Sequence, residues 1–264
     1  MAGWDGQSPM AAMADATADL PAEALLAEGL LVEGVPDAWI LHASPGLLVL
    51  NKPAGLLSQP GLGPHQADAL ITRVRRRWPQ AQLVHRLDRD TSGLLVVALE
   101  PALHRALSIA FAERRVEKHY VADVVGVPTA VEGRIDWPLA KRQHQPPRYG
   151  VDLERGKPCL TDWRLLEADG TGTGSGDGSG CRLALQPRTG RSHQLRVHRQ
   201  ALGHPIVGDP LYGPVGPAQR MHLHASALAF VHPHSGERVC VQSPVPFVRP
   251  FINPPCATLP PCCR

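Results

Sequence analysis

The sequence predicts an α+β fold built on a mixed, mostly antiparallel central sheet flanked by helices. Short apolar runs of alternating polarity outnumber the segments with helical spacing. The two kinds of segment also follow one another without a regular strand–helix–strand order or an internal repeat. The chain has 264 residues, of which 43% are hydrophobic, and this is enough to bury a sizeable core.

The first half of the chain contains two helix-like segments between strand-like ones. From residue 38 onward, WILHASPGLLVLNKPAG combines apolar runs with Pro-Gly turns, which is typical of strands. The segment ADALITRVRRRWP has apolar residues every four positions from Leu70 to Trp78 and stops at Pro79, so it predicts a helix with an Arg-rich outer face. LLVVAL then predicts a strand, and a helix begins at Pro101, since proline is favoured at the first helical position.

The second half is richer in strands. EKHYVADVVG alternates as a strand, and the basic, Pro-rich segment 133–158 has the composition of a surface loop or an extended arm. TDWRLLEA and CRLALQP predict two strands joined by a flexible Gly/Ser loop at 168–180. RSHQLRVHRQALG predicts a helix that ends at Gly203, and 223–244 predicts a hairpin that turns at Pro233 to Gly236.

These elements give one folded domain at 38–251, preceded by a flexible acidic leader at 1–37 and followed by a disordered Pro/Cys tail at 252–264. No stretch approaches the roughly 20 apolar residues of a membrane helix. The N-terminal region carries aspartates where a signal peptide needs positive charge, and the six cysteines include no C-x-x-C pair. We therefore expect a cytoplasmic protein without a membrane partner or a disulfide framework.

Charge is distributed unevenly along the chain. The first 50 residues hold seven of the 24 acidic residues and no lysine or arginine, so the rest carries all 27 basic residues against 17 acids. Only four of the 27 are lysines, and arginine suits phosphate and base recognition because its planar fork binds bidentately and stacks. The pattern favours a nucleic-acid partner, although a compositional bias of the genome would produce the same skew.

Two polar clusters are candidates for chemistry. In HRLDRDTSG, Asp88 lies between Arg86 and Arg89 ahead of a turn, an arrangement that keeps a carboxylate ionised as a nucleophile, base or metal ligand. Turn hydrogen bonds and surface ion pairs would explain the same aspartate. The second cluster, LQPRTGRSHQLRVHRQALGHPIVGDPLYG, predicts a cationic surface in which either Arg196 or Arg199 meets Asp88 while the other meets phosphate.

The sequence gives little support for a metal-dependent hydrolase, a serine hydrolase or an ATPase. Two H-x-H pairs, His222/His224 and His232/His234, place rings on one face of a strand, but no third ligand has zinc-type spacing, so no metal is expected. A G-x-S-x-G nucleophile motif and a G-x-x-x-x-G-K-[ST] phosphate loop are both absent from the sequence.

Five motifs together resemble the RluA family of RNA pseudouridine synthases over roughly residues 40 to 250. They occur in the order LLVLNKPAGLLSQPG, HRLDRDTSGLLVVA, RRVEKHYVADVVG, LQPRTGRSHQLRVHRQALGHPIVGDPLYG and RMHLHASALAF. The resemblance implies the pseudouridine synthase fold, with an active-site cleft across the sheet. It assigns the catalytic aspartate to Asp88, the tyrosine that packs on the target base to Tyr120, and the arginine paired with the aspartate to Arg196.

The resemblance also implies the substrate contacts. Arg86 is the arginine implicated in displacing the target nucleotide, and Leu223 closes the pocket. We add the motif residues His85, Arg191 and His193 as substrate-binding candidates. Asp88 would attack the nucleoside at the ribose or at the base, or remove a ribose proton, and the sequence does not choose among these routes. Isomerisation adds and removes no group, so no cofactor is expected.

Many relatives carry an N-terminal RNA-binding S4 domain, which the acidic leader does not resemble. The chain is therefore similar to the S4-less, dual-specificity branch that acts on tRNA anticodon loops and a large-subunit (23S) rRNA hairpin. We expect RNA rather than DNA as the partner, and a monomer. The alternative is a catalytically silent RNA-binding or chaperone protein on the same fold.

Overall fold

A computed structural model of the chain describes residues 34–168, 180–214 and 220–248. The predicted leader at 1–37 therefore lies outside the described residues except for its last four positions. The interior of the Gly/Ser loop and the whole of the tail at 252–264 also lie outside them.

The described residues form twelve strands, three α-helices and two short 3₁₀ turns. The strands are β1 Ile40–Ser44, β2 Leu47–Lys52, β3 Gln82–Leu83, β4 Ser92–Ala98, β5 Glu117–Val125, β6 Glu132–Ile135, β7 Leu139–His144, β8 Pro147–Val151, β9 Thr161–Ala168, β10 Gly180–Pro187, β11 Leu223–Val231 and β12 Arg238–Gln242. The helices are α1 Leu70–Arg75, α2 Pro101–Ala112 and α3 Gln194–Ala201, and the 3₁₀ turns are Asp37–Trp39 and Pro64–Gln66. Within these ranges no helix is both long enough and apolar enough to cross a membrane.

Ten of the strands form a single mixed sheet, which confirms the predicted architecture. Its main path runs β1-β2-β4-β11-β5-β10-β9-β6, with β12 paired to β11 and β3 paired to β4. Among the described pairs, β4 and β11 are parallel and the other neighbours are antiparallel. The strand β11, from late in the chain, thus lies in the middle of the sheet between β4 and β5.

The parallel contact between β4 and β11 depends on Gly93. Its φ of +110° lies in a region that residues with a side chain rarely adopt, and a Cβ there would overlap the backbone of Ala225. Glycine therefore lets the start of β4, directly after the HRLDRDTSG loop, reach the partner strand of the sheet. Two segments that carry predicted site residues are joined at this point.

Two hydrophobic cores lie along the sheet. One is formed by β2, β4, α1 and α2, and the other by β5, β9, β10 and α3. Tyr120 packs against both cores, so the middle of β5 marks their boundary. This boundary is where the polar clusters of the sequence meet.

Most predicted elements are present, with three differences. The helix expected at 70–78 ends at Arg75, and the one expected from 191 begins at Gln194. Segment 133–158, expected as a loop or extended arm, contains most of β6 and the hairpin β7–β8, which forms a separate two-stranded sheet. Composition alone did not distinguish an exposed hairpin from a loop, because its residues are mostly polar and exposed.

Candidate active site

A cleft of about 1050 Å³ opens at the boundary of the two cores. It brings together side chains from four distant segments, namely Asp88, Tyr120, Arg196 and Leu223. They come from the loop before β4, from β5, from α3 and from the start of β11. The residues assigned from the motif resemblance therefore surround one space in the folded chain.

The loop that carries Asp88 is fastened to the end of β2. Lys52 is fully buried, and its Nζ donates hydrogen bonds to the carbonyl oxygens of Pro53, Leu56 and Arg89 at 2.7 to 2.9 Å. Burial lowers the pKa of this lysine to about 7. Ser58 adds a second tie, since its Oγ donates to the Leu87 carbonyl at 2.7 Å and accepts the Leu87 N–H at 3.1 Å. These contacts fix the backbone on both sides of Asp88.

Arg196 lies between two carboxylates. Its Nη1 donates to Asp88 Oδ2 at 3.0 Å, while Nε and Nη2 donate to the two oxygens of Asp209 at 2.8 Å each. The side chains of Arg196 and Asp209 are 3% and 0% exposed, whereas that of Asp88 is 28% exposed. Asp209 thus holds the guanidinium in one orientation, and that orientation presents a donor to Asp88.

The two oxygens of Asp88 have different surroundings. Oδ2 accepts the bond from Arg196, whereas Oδ1 has no hydrogen bond among the described residues and lies 3.9 Å from His193 Nε2. His193 Nδ1 is 2.8 Å from the Tyr212 hydroxyl. Burial lowers the pKa of His193, which favours the neutral ring beside the carboxylate. Oδ1 is therefore the oxygen free to meet a substrate.

Tyr120 and Leu223 form the apolar part of the site. They lie on the neighbouring strands β5 and β11, where Leu223 pairs with Ala122. Burial, and then the charge of Asp88, raises the pKa of Tyr120, so its phenol stays protonated at neutral pH. A flat aromatic ring beside a carboxylate suits a planar base held next to its ribose.

The predicted substrate-binding residues differ in their contacts. Arg86 and Arg191 are exposed on the cleft wall. His85 also lines the cleft, but its Nε2 accepts the Val96 N–H at 3.1 Å and its ring stacks on Phe111 at 4.6 Å. Burial lowers the pKa of His85 to about 3, so the ring is neutral. The structure gives His85 a place in the packing of β4 and α2, and its contact with substrate stays a prediction.

The cationic surface predicted for the second cluster is only partly present. Arg199 is fully buried with its guanidinium 5.0 Å from the Trp163 ring, so it does not reach a surface phosphate and that expectation was wrong. The reason is that α3 packs into the second core along most of its length, and Gln194 to Arg199 are all buried. Exposed charge is instead contributed by Arg188 and Arg191, which precede the helix.

Three of the four H-x-H histidines use a ring nitrogen in hydrogen bonds of the fold. His222 Nδ1 lies 3.0 Å from Asp123 Oδ2, and His224 bridges the hydroxyls of Ser92 and Ser243 at 2.8 and 3.1 Å. In the second pair, His232 Nδ1 accepts the backbone N–H of His234 at the hairpin turn. No group of three or more possible metal ligands occurs in the described ranges.

Reasoning from the sequence missed three contributors to the site. Asp209, Tyr212 and Lys52 all lie within the quoted motifs, yet only their contacts reveal what they do. Asp209 also accepts the backbone N–H groups of Leu211 and Tyr212, so the GDPLYG turn folds around its carboxylate. The available signal was an acid between Gly208 and Pro210, shortly after the segment that carries Arg196 and Arg199.

The chain is similar to known proteins in both sequence and fold. A family profile described as RNA pseudouridylate synthase matches residues 46–201. The dual-specificity RNA pseudouridine synthases RluA of Salmonella typhi and Escherichia coli K12 are each 43% identical over 218 residues, which cover 80% of this chain and 95% of the relative. The solved structure of human RNA pseudouridylate synthase domain containing 1 matches with a TM-score of 0.65 at 35% identity, covering 79% of this chain and 84% of that one.

A second human structure, RNA pseudouridylate synthase domain containing 4, shares the fold with a TM-score of 0.63 at 24% identity and covers 84% of this chain and 92% of that one. The predicted family, fold and enzyme class are confirmed together. The chain belongs to the RluA family of RNA pseudouridine synthases, isomerases that convert uridine to pseudouridine in RNA.

Proposed function

We propose that this enzyme isomerises uridines in structured RNA, in a tRNA anticodon loop and in a large-subunit rRNA hairpin, with Asp88 as its catalytic carboxylate. The observation that supports it is the asymmetry of Asp88 in a cleft that Tyr120 also lines. Its Oδ2 is held by Arg196, while its Oδ1 accepts no hydrogen bond among the described residues. The name dual-specificity, printed for the RluA relatives, favours two RNA substrates.

The reaction breaks the bond between uracil N1 and ribose C1′ and forms a bond between C5 and C1′. The C5 proton leaves, N1 gains a proton, and no atom is added overall. Asp88 assists cleavage by attacking the nucleoside or by removing a ribose proton. Arg196 orients that carboxylate through a charge-assisted hydrogen bond to Oδ2.

The apolar side of the cleft holds the detached base. Tyr120 stacks on the uracil while it turns, and Leu223 closes the pocket beneath it. The uncharged phenol of Tyr120 is able to assist departure of the C5 proton through a hydrogen bond.

The target must leave its stack before this chemistry begins. Unstacking costs a few kcal/mol, which contacts to the pocket and to phosphates offset. Arg86, exposed two residues before Asp88, is positioned to occupy the gap left by the displaced nucleotide. Arg191 and His193, which line the same cleft, approach the backbone of the same strand.

The test is tritium release from RNA labelled at uridine C5, with unmodified tRNA and large-subunit rRNA transcripts assayed separately. Wild-type enzyme should release tritium, and Asp88→Asn should abolish release while its RNA affinity stays within about twofold. The matched control is Asp68→Asn, because Asp68 is an exposed carboxylate paired with Arg73 outside the cleft. Release that persists in Asp88→Asn would remove Asp88 from the reaction.

The silent-binder alternative gives a different result. It predicts tight RNA binding by the wild type and no tritium release from either RNA. RNA binding should also weaken steeply between about 50 and 200 mM salt, because each phosphate contact displaces counterions. A flat salt dependence would argue against RNA as the partner.

A further inference from the structure

A second, smaller pocket of about 290 Å³ adjoins the active-site cleft. The two spaces share four lining residues, Arg114, Lys118, Pro187 and Arg188, so the pocket lies directly beside the cleft. The other polar residues around it are Arg134, Gln186 and Glu117. Four of its nine lining residues are basic and one is acidic, which makes the pocket strongly cationic.

The charges of this pocket are only partly neutralised. Glu117 pairs with Arg238 at 2.8 Å, and a single carboxylate, Asp162, serves both Arg134 and Arg188 at 2.7 Å. Asp162 can balance only one of its two arginines. Within the described ranges, three positive charges therefore lack a full counter-charge, namely those of Lys118, Arg114 and one of these two arginines.

Lys118 and Arg114 are the two basic residues of the pocket without a counter-charge among the described residues. In the part of the chain that the structure describes, neither side chain makes a hydrogen bond or an ion pair with another residue. Burial and the nearby charge of Arg114 lower the pKa of Lys118, so the fold places this ammonium where its charge is disfavoured. An anion bound between the two residues would relieve that cost.

Lys118 and Arg114 lie close to the residues that the proposed reaction uses. Lys118 and Tyr120 are two positions apart on β5, so their side chains share a face and lie about 7 Å apart along the strand. A Cβ placed on Gly190 would lie 3.9 Å from Lys118 Nζ, which locates the ammonium under the turn that leads to Arg191 and His193. Arg114, with φ +61°, reverses the chain between α2 and β5 and brings its side chain to the same rim.

We infer that the pocket at Lys118 and Arg114 is a phosphate-binding subsite, which takes one backbone phosphodiester of a nucleotide adjacent to the target uridine. The inference rests on the proposed function, because it presumes that a uridine lies against Tyr120. The subsite would fix the register of the strand and leave the chemical step to Asp88. Arg188 at the shared rim supplies long-range attraction while it remains paired with Asp162.

The experiment combines protein variants with neutralised phosphates. A stem-loop RNA that releases tritium is prepared with a single methylphosphonate, which removes one negative charge, at each position flanking the target uridine. The variants are Lys118→Gln, Arg114→Gln and Lys118→Arg. The control is Arg105→Gln, an exposed arginine on α2 outside both the pocket and the cleft.

With unmodified RNA we expect Lys118→Gln and Arg114→Gln each to raise KM about tenfold. Each variant should keep the single-turnover rate constant within about threefold of the wild-type value. Lys118→Arg should retain most of the affinity because it keeps the charge. One methylphosphonate position should raise KM about tenfold for the wild type and less than about twofold for Lys118→Gln, since the two changes remove one shared contact.

Two results would overturn the subsite. One is Lys118→Gln and Arg114→Gln behaving like Arg105→Gln on every RNA. The other is each methylphosphonate having the same effect in wild type and in Lys118→Gln. Absence of tritium release by the wild type would instead contradict the proposed function, and equilibrium binding of the same RNAs would still test the subsite. Urea unfolding of each variant identifies any loss of affinity that comes from misfolding.

Discussion

Asp209 accepts two hydrogen bonds of 2.8 Å from Arg196, and this buried pair is complete without Asp88. Asp88 then accepts the remaining Nη1 donor at 3.0 Å. Arg196 is thus held in place by a carboxylate that has no contact with the cleft itself. Asp209 is a positioning residue in this arrangement.

Asp209→Asn should lower kcat by at least about tenfold and destabilise the fold by about 3–5 kcal/mol, because it leaves a buried guanidinium without its counter-charge. Tritium release at saturating RNA and urea unfolding measure the two effects. Asp88→Asn should abolish activity with little loss of stability, since Asp88 is partly exposed. Unchanged kcat in a folded Asp209→Asn enzyme would contradict the positioning role.

Tyr120→Phe keeps the ring and removes the hydroxyl. We expect RNA affinity within about twofold of wild type, because stacking is retained, and slower tritium release, because the C5 proton loses a hydrogen-bonding partner. Single-turnover tritium release measured at several enzyme concentrations separates RNA affinity from the rate of the chemical step. A wild-type rate of tritium release in Tyr120→Phe would show that the hydroxyl does not assist departure of the C5 proton.

Gly93→Ala should destabilise the fold by about 3 kcal/mol or more, because the new Cβ overlaps the Ala225 backbone and the residue has φ +110°. Gly236→Ala is the matched control. It also has a positive φ, of +73°, but its Cβ would have no heavy atom within 4 Å, so about 1 kcal/mol is expected. Equal losses in urea unfolding would mean that the close approach of β4 to β11 contributes little.

Arg199 and Arg196 are nearly one helical turn apart on α3 and should respond oppositely to replacement by methionine. The guanidinium of Arg199 has no hydrogen-bond partner among the described residues, and burial lowers its pKa to about 10. Arg199→Met should therefore be neutral or stabilising by about 1 kcal/mol, whereas Arg196→Met should cost about 3–5 kcal/mol. A comparable loss of stability in both variants would contradict this contrast.

His224 makes stability depend on acid pH. Burial, and then the charge of Arg220, lowers its pKa from 6.5 in the unfolded chain to about 4 in the fold. Between these values the unfolded chain binds the proton and the folded protein does not, so the free energy of unfolding falls as pH decreases from 6.5 to 4. The slope from this ring is up to about 1.4 kcal/mol per pH unit.

His224→Gln lacks that proton and should show a shallower pH dependence in urea titrations at pH 7, 6 and 5. The comparison isolates one ring, because the other buried histidines are present in both proteins. An identical slope in the variant would show that His224 is not the responsible group.

The sequence predicted the architecture well because the sheet has clear polarity patterns. The seven residues of β4 are all buried, and β10 alternates between buried and half-buried positions, so LLVVAL and CRLALQP were both recognisable as strands. The hairpin β7–β8 was not recognisable, since its exposed residues, such as Lys141 and Arg148, carry no apolar alternation.

For the site, the motif resemblance assigned Asp88, Tyr120 and Arg196, which the fold brings to one cleft. Spacing alone left open which of Arg196 and Arg199 meets Asp88. That choice depends on the rotation of α3 against β9 and β10, which buries Arg199 over Trp163. The role of Asp209 likewise depends on a turn whose shape no local pattern specifies.

The central place of β11 has a consequence for how the protein is made. The ribosome synthesises β4 and β5 long before residues 223–231, so the apolar edges that β11 later fills stay open during much of synthesis. Unpaired strand edges of this kind favour aggregation, and pairings between distant segments form slowly. Leu223 reaches the cleft only when β11 pairs with β4 and β5, so the cleft acquires its complete lining in the step that joins the two parts of the sheet.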